Sequence, residues 1–236
     1  MTLTELIKHL RVSILDDTGG TGIDWTAITD SDVENESLRW SNEELTTFIN
    51  EAVGKVCGST GYLQDIQAGF QIALVAGTAI YSIDPRIIRI KHNKLTDSGL
   101  PLTILEMEDV EDISNWIDLE GRPYRMIVDY TQGQIVINPT PVANDTLDLW
   151  TVRHPMVACD WASPTEDNTE LPPTWQIPML SYAAHLAYSK DESNALDPEA
   201  AEKQLARFIN EFSFTSAYSQ KRRVRSRGRT VKYGGL

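Results

Sequence analysis

The chain has 236 residues, with 21 Lys and Arg against 34 Asp and Glu and a formal net charge of −13. At 41% hydrophobic residues it can bury a core in one large domain or two small ones. That composition excludes a disordered chain, and its acidity excludes a general nucleic-acid-binding surface, because such a body repels phosphate.

Thr2 to Leu15 reads as a helix. Thr2 and Glu5 have capping-box spacing, and Leu3, Leu6, Ile7, Leu10 and Ile14 fall on one face. DDTGGTG (16–22) stops it, and the polar stretch 18–39 reads as a long loop. Ser41 and Glu44 form a second capping box. The stripe Leu45, Phe48, Ile49, Ala52, Val53 and Val56 follows, ended by Gly58 and Gly61.

The pattern then changes to β-branched and aromatic runs. AGFQIALV (68–75), TAIYSI (78–83) and RIIRIKHNKL (86–95) read as strands. EMEDVEDISNW (106–116) reads as a short helix. PYRMIVDY (123–130) and QIVINP (134–139) predict a hairpin across Thr131–Gly133. TLDLWTVRHP (146–155) reads as a last strand, with Leu147, Leu149 and Thr151 facing in and Asp148, Trp150 and Val152 facing out.

From Pro172 the helices return. TWQIPMLSYAAHLAYSKD (174–191) buries Leu180, Ala183, Ala184 and Ala187, with Pro178 near the first turn. Asp197 caps a fourth helix with Pro198 at its first position and a stripe of Ala201, Leu205, Phe208, Ile209 and Phe212. The order argues for an α+β protein: a helical bundle built from both chain ends, an inserted antiparallel β-rich module and an extended C-terminal tail. The expected boundaries are 1–64 and 157–215 for the bundle, 65–156 for the module and 216–236 for the tail.

The tail, QKRRVRSRGRTVKYGGL from Gln220 to Leu236, holds seven cations and no acid, so residues 1–219 carry about −20 formally. The tail reads as a solvated end, as a phosphate-binding arm, or as a segment that orders on an acidic or strand-offering protein surface. Cys57 and Cys159 are the only cysteines, and free thiols are expected, since nothing here reads as secreted. MTLTELIKHLRVSIL lacks a basic segment followed by an apolar run, and no stretch approaches the ~20 apolar residues of a membrane span. A cytoplasm-like compartment is expected.

Chemistry is sparse. DDTGGTG lacks the lysine and the strand–loop–helix setting of a phosphate loop. Glu106, Glu108, Asp109, Glu111 and Asp112 lack cation-loop spacing and read as a solvated face. His9, His92, His154 and His185 sit in no metal motif, and Ser181 is in no nucleophile elbow. No enzyme, cofactor or metal is expected. Of the six tryptophans, Trp40 and Trp175 are expected in the core, whereas Trp25 and Trp161 read either as local core pins or as interface anchors.

Several of these stretches carry a resemblance. LRWSNEELTTFINEAVGKV (38–56), including Asn50-Glu51-Ala52, resembles the helix signature of head-to-tail adaptor (connector) proteins of tailed phages. LVAGTAIYSIDPRIIRIKHNKL (74–95), QIVINPTPVANDTLDLWTVRHP (134–155) and LPPTWQIPMLSYAAHLAY (171–188) are similar to later motifs of that family, in the same order. The resemblance spans about residues 1–215. It implies a non-enzymatic virion protein at the portal vertex, cytoplasmic before assembly. It would form a homo-oligomeric ring, commonly a dodecamer, between the portal protein and a downstream tail or nozzle protein, with DNA passing through unbound.

In that setting the tail would clamp onto the portal through Lys221, Arg222, Arg223, Arg225, Arg227, Arg229, Lys232 and Tyr233, laid along it as an added strand. Glu106, Glu108, Asp109, Glu111 and Asp112 become candidate channel-facing acids, although they could equally face outward. The alternative is a nucleic-acid-binding accessory protein acting through the basic tail.

Overall fold

In this computed structural model the described residues are 1–17, 38–65, 70–110, 116–163, 169–190 and 196–227, with 213–227 described as backbone alone. They form two compact units: residues 1–61 with 155–236, and residues 62–154.

The first unit is helical. Helix α1 (Leu3–His9) starts at Thr2, whose side chain accepts the Glu5 N–H at 3.2 Å while the Glu5 carboxylate accepts the Thr2 N–H at 2.9 Å. It runs on as a π-helical segment, Leu10–Leu15, ended by Asp16 at φ 50°. Helix α2 (Asn42–Thr60) starts with the same reciprocal cap between Ser41 and Glu44. Gly61, at φ 61°, is its C-cap, because this left-handed turn costs a residue without Cβ little. Gly58 lies inside the helix and does not end it.

Helix α3 (Pro173–Tyr188) buries Met179, Leu180, Ala183, Ala184 and Ala187. Pro178 sits inside α3 and not in its first turn, so the helix forgoes one backbone hydrogen bond there. Helix α4 (Pro198–Arg227) buries Ala201, Phe208 and Phe212. Ile209, expected on that stripe, is 52% exposed. Residues 216–227 continue α4, a helix of about 45 Å at ~1.5 Å per residue, and are not the extended tail that was expected.

The second unit is β-rich. Strands β1 (Gln64–Asp65), β2 (Gln71–Leu74) and β4 (Ile87–Leu95) all pair antiparallel with β10 (Asp145–Arg153). Strands β3 (Ile80–Ser82), β8 (Gln134–Asn138), β7 (Arg125–Thr131) and β5 (Thr103–Glu106) form a second sheet in that order. Phe70, Leu74, Leu95, Leu147 and Leu149 meet Met126, Ile135 and Ile137 between these two sheets. The opposite face of β7–β8 packs Ile127 and Val136 on Val110 and Trp116. Period-2 alternation of an apolar strand pair therefore feeds two small cores.

The hairpin turn falls where expected, with Thr131 opposite Gln134 and Gly133 at φ 74°. Three local expectations are corrected. The module is not purely antiparallel, because β5 runs parallel to β7, and β6 (Glu120–Gly121) runs parallel to β9 (Thr140–Pro141). The chain crosses over between β5 and β7, as a parallel pair requires. Of the short helix expected at 106–116, Glu106 instead ends β5, and Met107–Asp109 and Trp116–Asp118 form 3₁₀ turns, while residues 111–115 lie outside the described residues. Finally, Val152 is buried beside Thr151, because register shifts on either side of these two residues break the alternation of β10.

Candidate interaction site

The basic residues from Lys221 to Arg227 lie on α4, so the contacts that aim α4 aim them. Asp197 caps the helix: its Oδ1 accepts the Ala200 N–H at 3.0 Å, and its own N–H donates to the Tyr188 carbonyl at 3.0 Å. Alongside α3 the pairing is antiparallel. The His185 Nδ1 lies 3.0 Å from the Ala201 carbonyl, and since a carbonyl only accepts, Nδ1 carries the proton. Tyr182 packs on Phe208 at 5.0 Å, and Trp175 meets Phe212 edge-on at 5.9 Å. Trp175, at the α3 start, is thus level with Phe212, and α4 runs on past it to Arg227. Lys221, Arg222, Arg223, Arg225 and Arg227 lie on that continuation, while Arg229, Lys232 and Tyr233 fall outside the described residues.

Glu106, Glu108 and Asp109 are exposed at the end of β5, where Asp109 Oδ2 accepts the Glu106 N–H at 3.0 Å in a local cap. Glu111 and Asp112 lie outside the described residues, as does Trp25. Trp161 is half-buried on a turn held by Asp160, whose Oδ1 accepts the Ala162 N–H at 3.0 Å. Trp40 is fully buried, edge-on to Tyr188 at 6.0 Å. Among the described residues no His, Cys, Asp or Glu group could hold a metal ion.

One site was missed from the sequence. Arg11 is fully buried and donates through Nη1 to Asp17 Oδ2, and through Nη2 to the Trp40 carbonyl at 2.6 Å and Asn42 Oδ1 at 3.0 Å. Asp17 Oδ1 accepts the Arg39 N–H at 2.9 Å. The chain leaves this node at Asp17 and returns to it at Arg39, so the node clamps both ends of the long 18–39 segment. Burial pushes the Asp17 carboxyl up and the Arg11 guanidinium down, against the attraction between them. A signal was present: Arg11 continues the Leu3–Ile7 spacing, a charged residue on the apolar face.

No helix among the described residues is long and apolar enough to cross a membrane. A family model, that of the SU10 adaptor protein, matches residues 1–232. The chain therefore belongs to the SU10 adaptor protein family, and it is a structural connector protein of a bacteriophage. No individually curated protein matches it.

Proposed function

We propose that this chain forms a homo-oligomeric ring, commonly a dodecamer in such adaptors, between the portal protein and the next tail component. In this reading the helices from both chain ends make one bundle with the β-rich unit inserted, at the neck of the virion. The observation that carries the reading is the family match over residues 1–232. The charge partition supports it: a body of about −20 does not hold DNA moving through a channel, while the segment from Gln220 to Leu236 seeks an acidic partner.

The portal is that partner, engaged by Lys221, Arg222, Arg223, Arg225 and Arg227 on α4 and by Arg229, Lys232 and Tyr233 beyond it. A helical approach through Arg227 replaces strand addition over those residues, because a helix spends its backbone hydrogen bonds on itself. Glu106, Glu108, Asp109, Glu111 and Asp112 are proposed to face the channel.

The test is electron microscopy of the phage's portal complex mixed with the full chain or with residues 1–219, which retain Phe208 and Phe212 and so the α3–α4 packing. The full chain should add a symmetric layer and the truncation should not. Equal docking by both chains overturns the role given to the tail. Duplex binding with a log–log salt slope of about −4 to −6, lost in the truncation, would instead favour the nucleic-acid reading.

A further inference from the structure

The second unit carries an uncharged, apolar loop tip that the preceding reading does not use. Val142, at 63%, is the most exposed large hydrophobic residue among the described residues, and Val75 is 52% exposed. The two sit on adjoining turns: the Gly77 N–H donates to the Pro141 carbonyl at 2.8 Å, and the Ala76 N–H donates to Asn144 Oδ1 at 2.9 Å. Gly77 adopts φ 79°, which its missing Cβ allows.

The tip is also held rigid. The Tyr81 hydroxyl accepts the Val75 N–H at 2.9 Å and donates to the Thr78 carbonyl at 2.8 Å, and the Thr78 N–H donates to the Val75 carbonyl at 3.0 Å. The backbone N–H groups of residues 75–78 are therefore all satisfied within the tip. A partner meets apolar side chains on a preformed surface, with little ordering left to do on binding.

Charge says which partner fits. Residues 66–83 and 131–144 contain no charged side chain, in a chain whose net charge is −13. The nearest carboxylate in sequence, that of Asp145, is turned onto the backbone N–H groups of Thr146 (2.6 Å) and Asp97 (3.2 Å). Two copies of so acidic a chain repel through most of their surfaces, and the repulsion is least where both present neutral apolar groups. Nucleic acid finds no cation here.

We propose that the tip formed by residues 75–78 and 142–144 is a self-association contact that seats on a second copy of this chain. This deepens the ring reading above and rests on it for the arrangement of copies, but the contact can be measured without the portal.

The experiment compares the full chain with Val142→Asp and Val75→Asp by sedimentation velocity over a concentration series, from about 0.05 M to about 1 M NaCl. Both valines are exposed, so unchanged thermal unfolding will show that the variants fold. The wild type should associate more strongly as salt screens the like charges, and each Asp variant should weaken association about 10-fold or more.

Wild-type association in either variant overturns the proposal, as does wild-type association that falls with salt. If the wild type is monomeric throughout, the same three proteins are added to the portal complex. A layer formed by the wild type and by neither variant upholds the contact, and a layer formed by all three overturns the contact while leaving the ring. Absence of any layer from a monomeric wild type overturns both. Self-association in solution that both Asp variants lose, without a layer on the portal, upholds the contact and overturns the ring reading.

Discussion

Asn50 grips the backbone of Cys159 from both sides: its Nδ2 donates to the Cys159 carbonyl at 2.9 Å, and its Oδ1 accepts the Cys159 N–H at 2.8 Å. A helix residue thereby pins the segment that re-enters the first unit more than a hundred positions later. Asn50→Ala should destabilise the protein by about 1–3 kcal/mol, because two part-buried backbone groups lose their partner. Urea denaturation followed by circular dichroism would check this, and a loss under about 0.5 kcal/mol would show that water replaces the side chain without cost.

The Arg11–Asp17 node makes a sharper prediction. Arg11→Met leaves the buried Asp17 carboxylate without its counter-charge and should cost about 3–5 kcal/mol. The double variant Arg11→Met/Asp17→Asn should lose clearly less than Arg11→Met alone, because the second change removes the stranded charge. Simple additivity in a denaturation cycle would mean that the two groups do not act as a pair.

Two carboxylates give opposite pH signatures. The Arg86 side chain, hydrogen-bonded at 2.5–2.9 Å, pulls Asp84 from 3.8 to about 2. The unfolded chain then binds the more protons between those values, so this contribution is complete above about pH 4 and disappears as pH falls to about 2. For Asp17, whose carboxyl burial pushes up, the native chain binds the more protons, and stability falls as pH rises above the ordinary carboxylate value. Stability measured against pH should therefore lose a rising component below pH 4 in Asp84→Asn. It should lose a falling component above that pH in Asp17→Asn. The reverse assignment would refute both signs.

The alanines of α3 are a packing test. Ala183, Ala184 and Ala187 are fully buried, and α3 contacts both α2 and α4. Ala184→Leu forces extra volume into a filled space and should cost about 1–3 kcal/mol, read as a lowered melting temperature. An unchanged melting temperature would reveal slack between these helices.

The features legible in the sequence share a short range. Both capping boxes, the Asp197 start of α4 and the Thr131–Gln134 hairpin join residues a few positions apart, so residue type and spacing suffice. The misreadings lie where distant groups intervene. Ile209 fits a helical stripe by spacing yet stays exposed, because the neighbours of α4 cover only the face of Ala201, Phe208 and Phe212. Val152 turns inward through the shifted register of β10 against β4, and β5 pairs parallel with β7 after a crossover that its own four residues do not announce.

The candidate surfaces divide in the same way. The sequence by itself determined the charge partition, the candidate cations and the family, since formal charge is additive and motifs keep their order along the chain. Only the tertiary structure decided that Arg11 would lie buried against Asp17, that Tyr81 would brace the turns around Val75, and that Val142 would stand exposed beside them. Each of those outcomes depends on which remote groups leave water together, and the free energy of a buried charge or an exposed methyl group is set by its final neighbours.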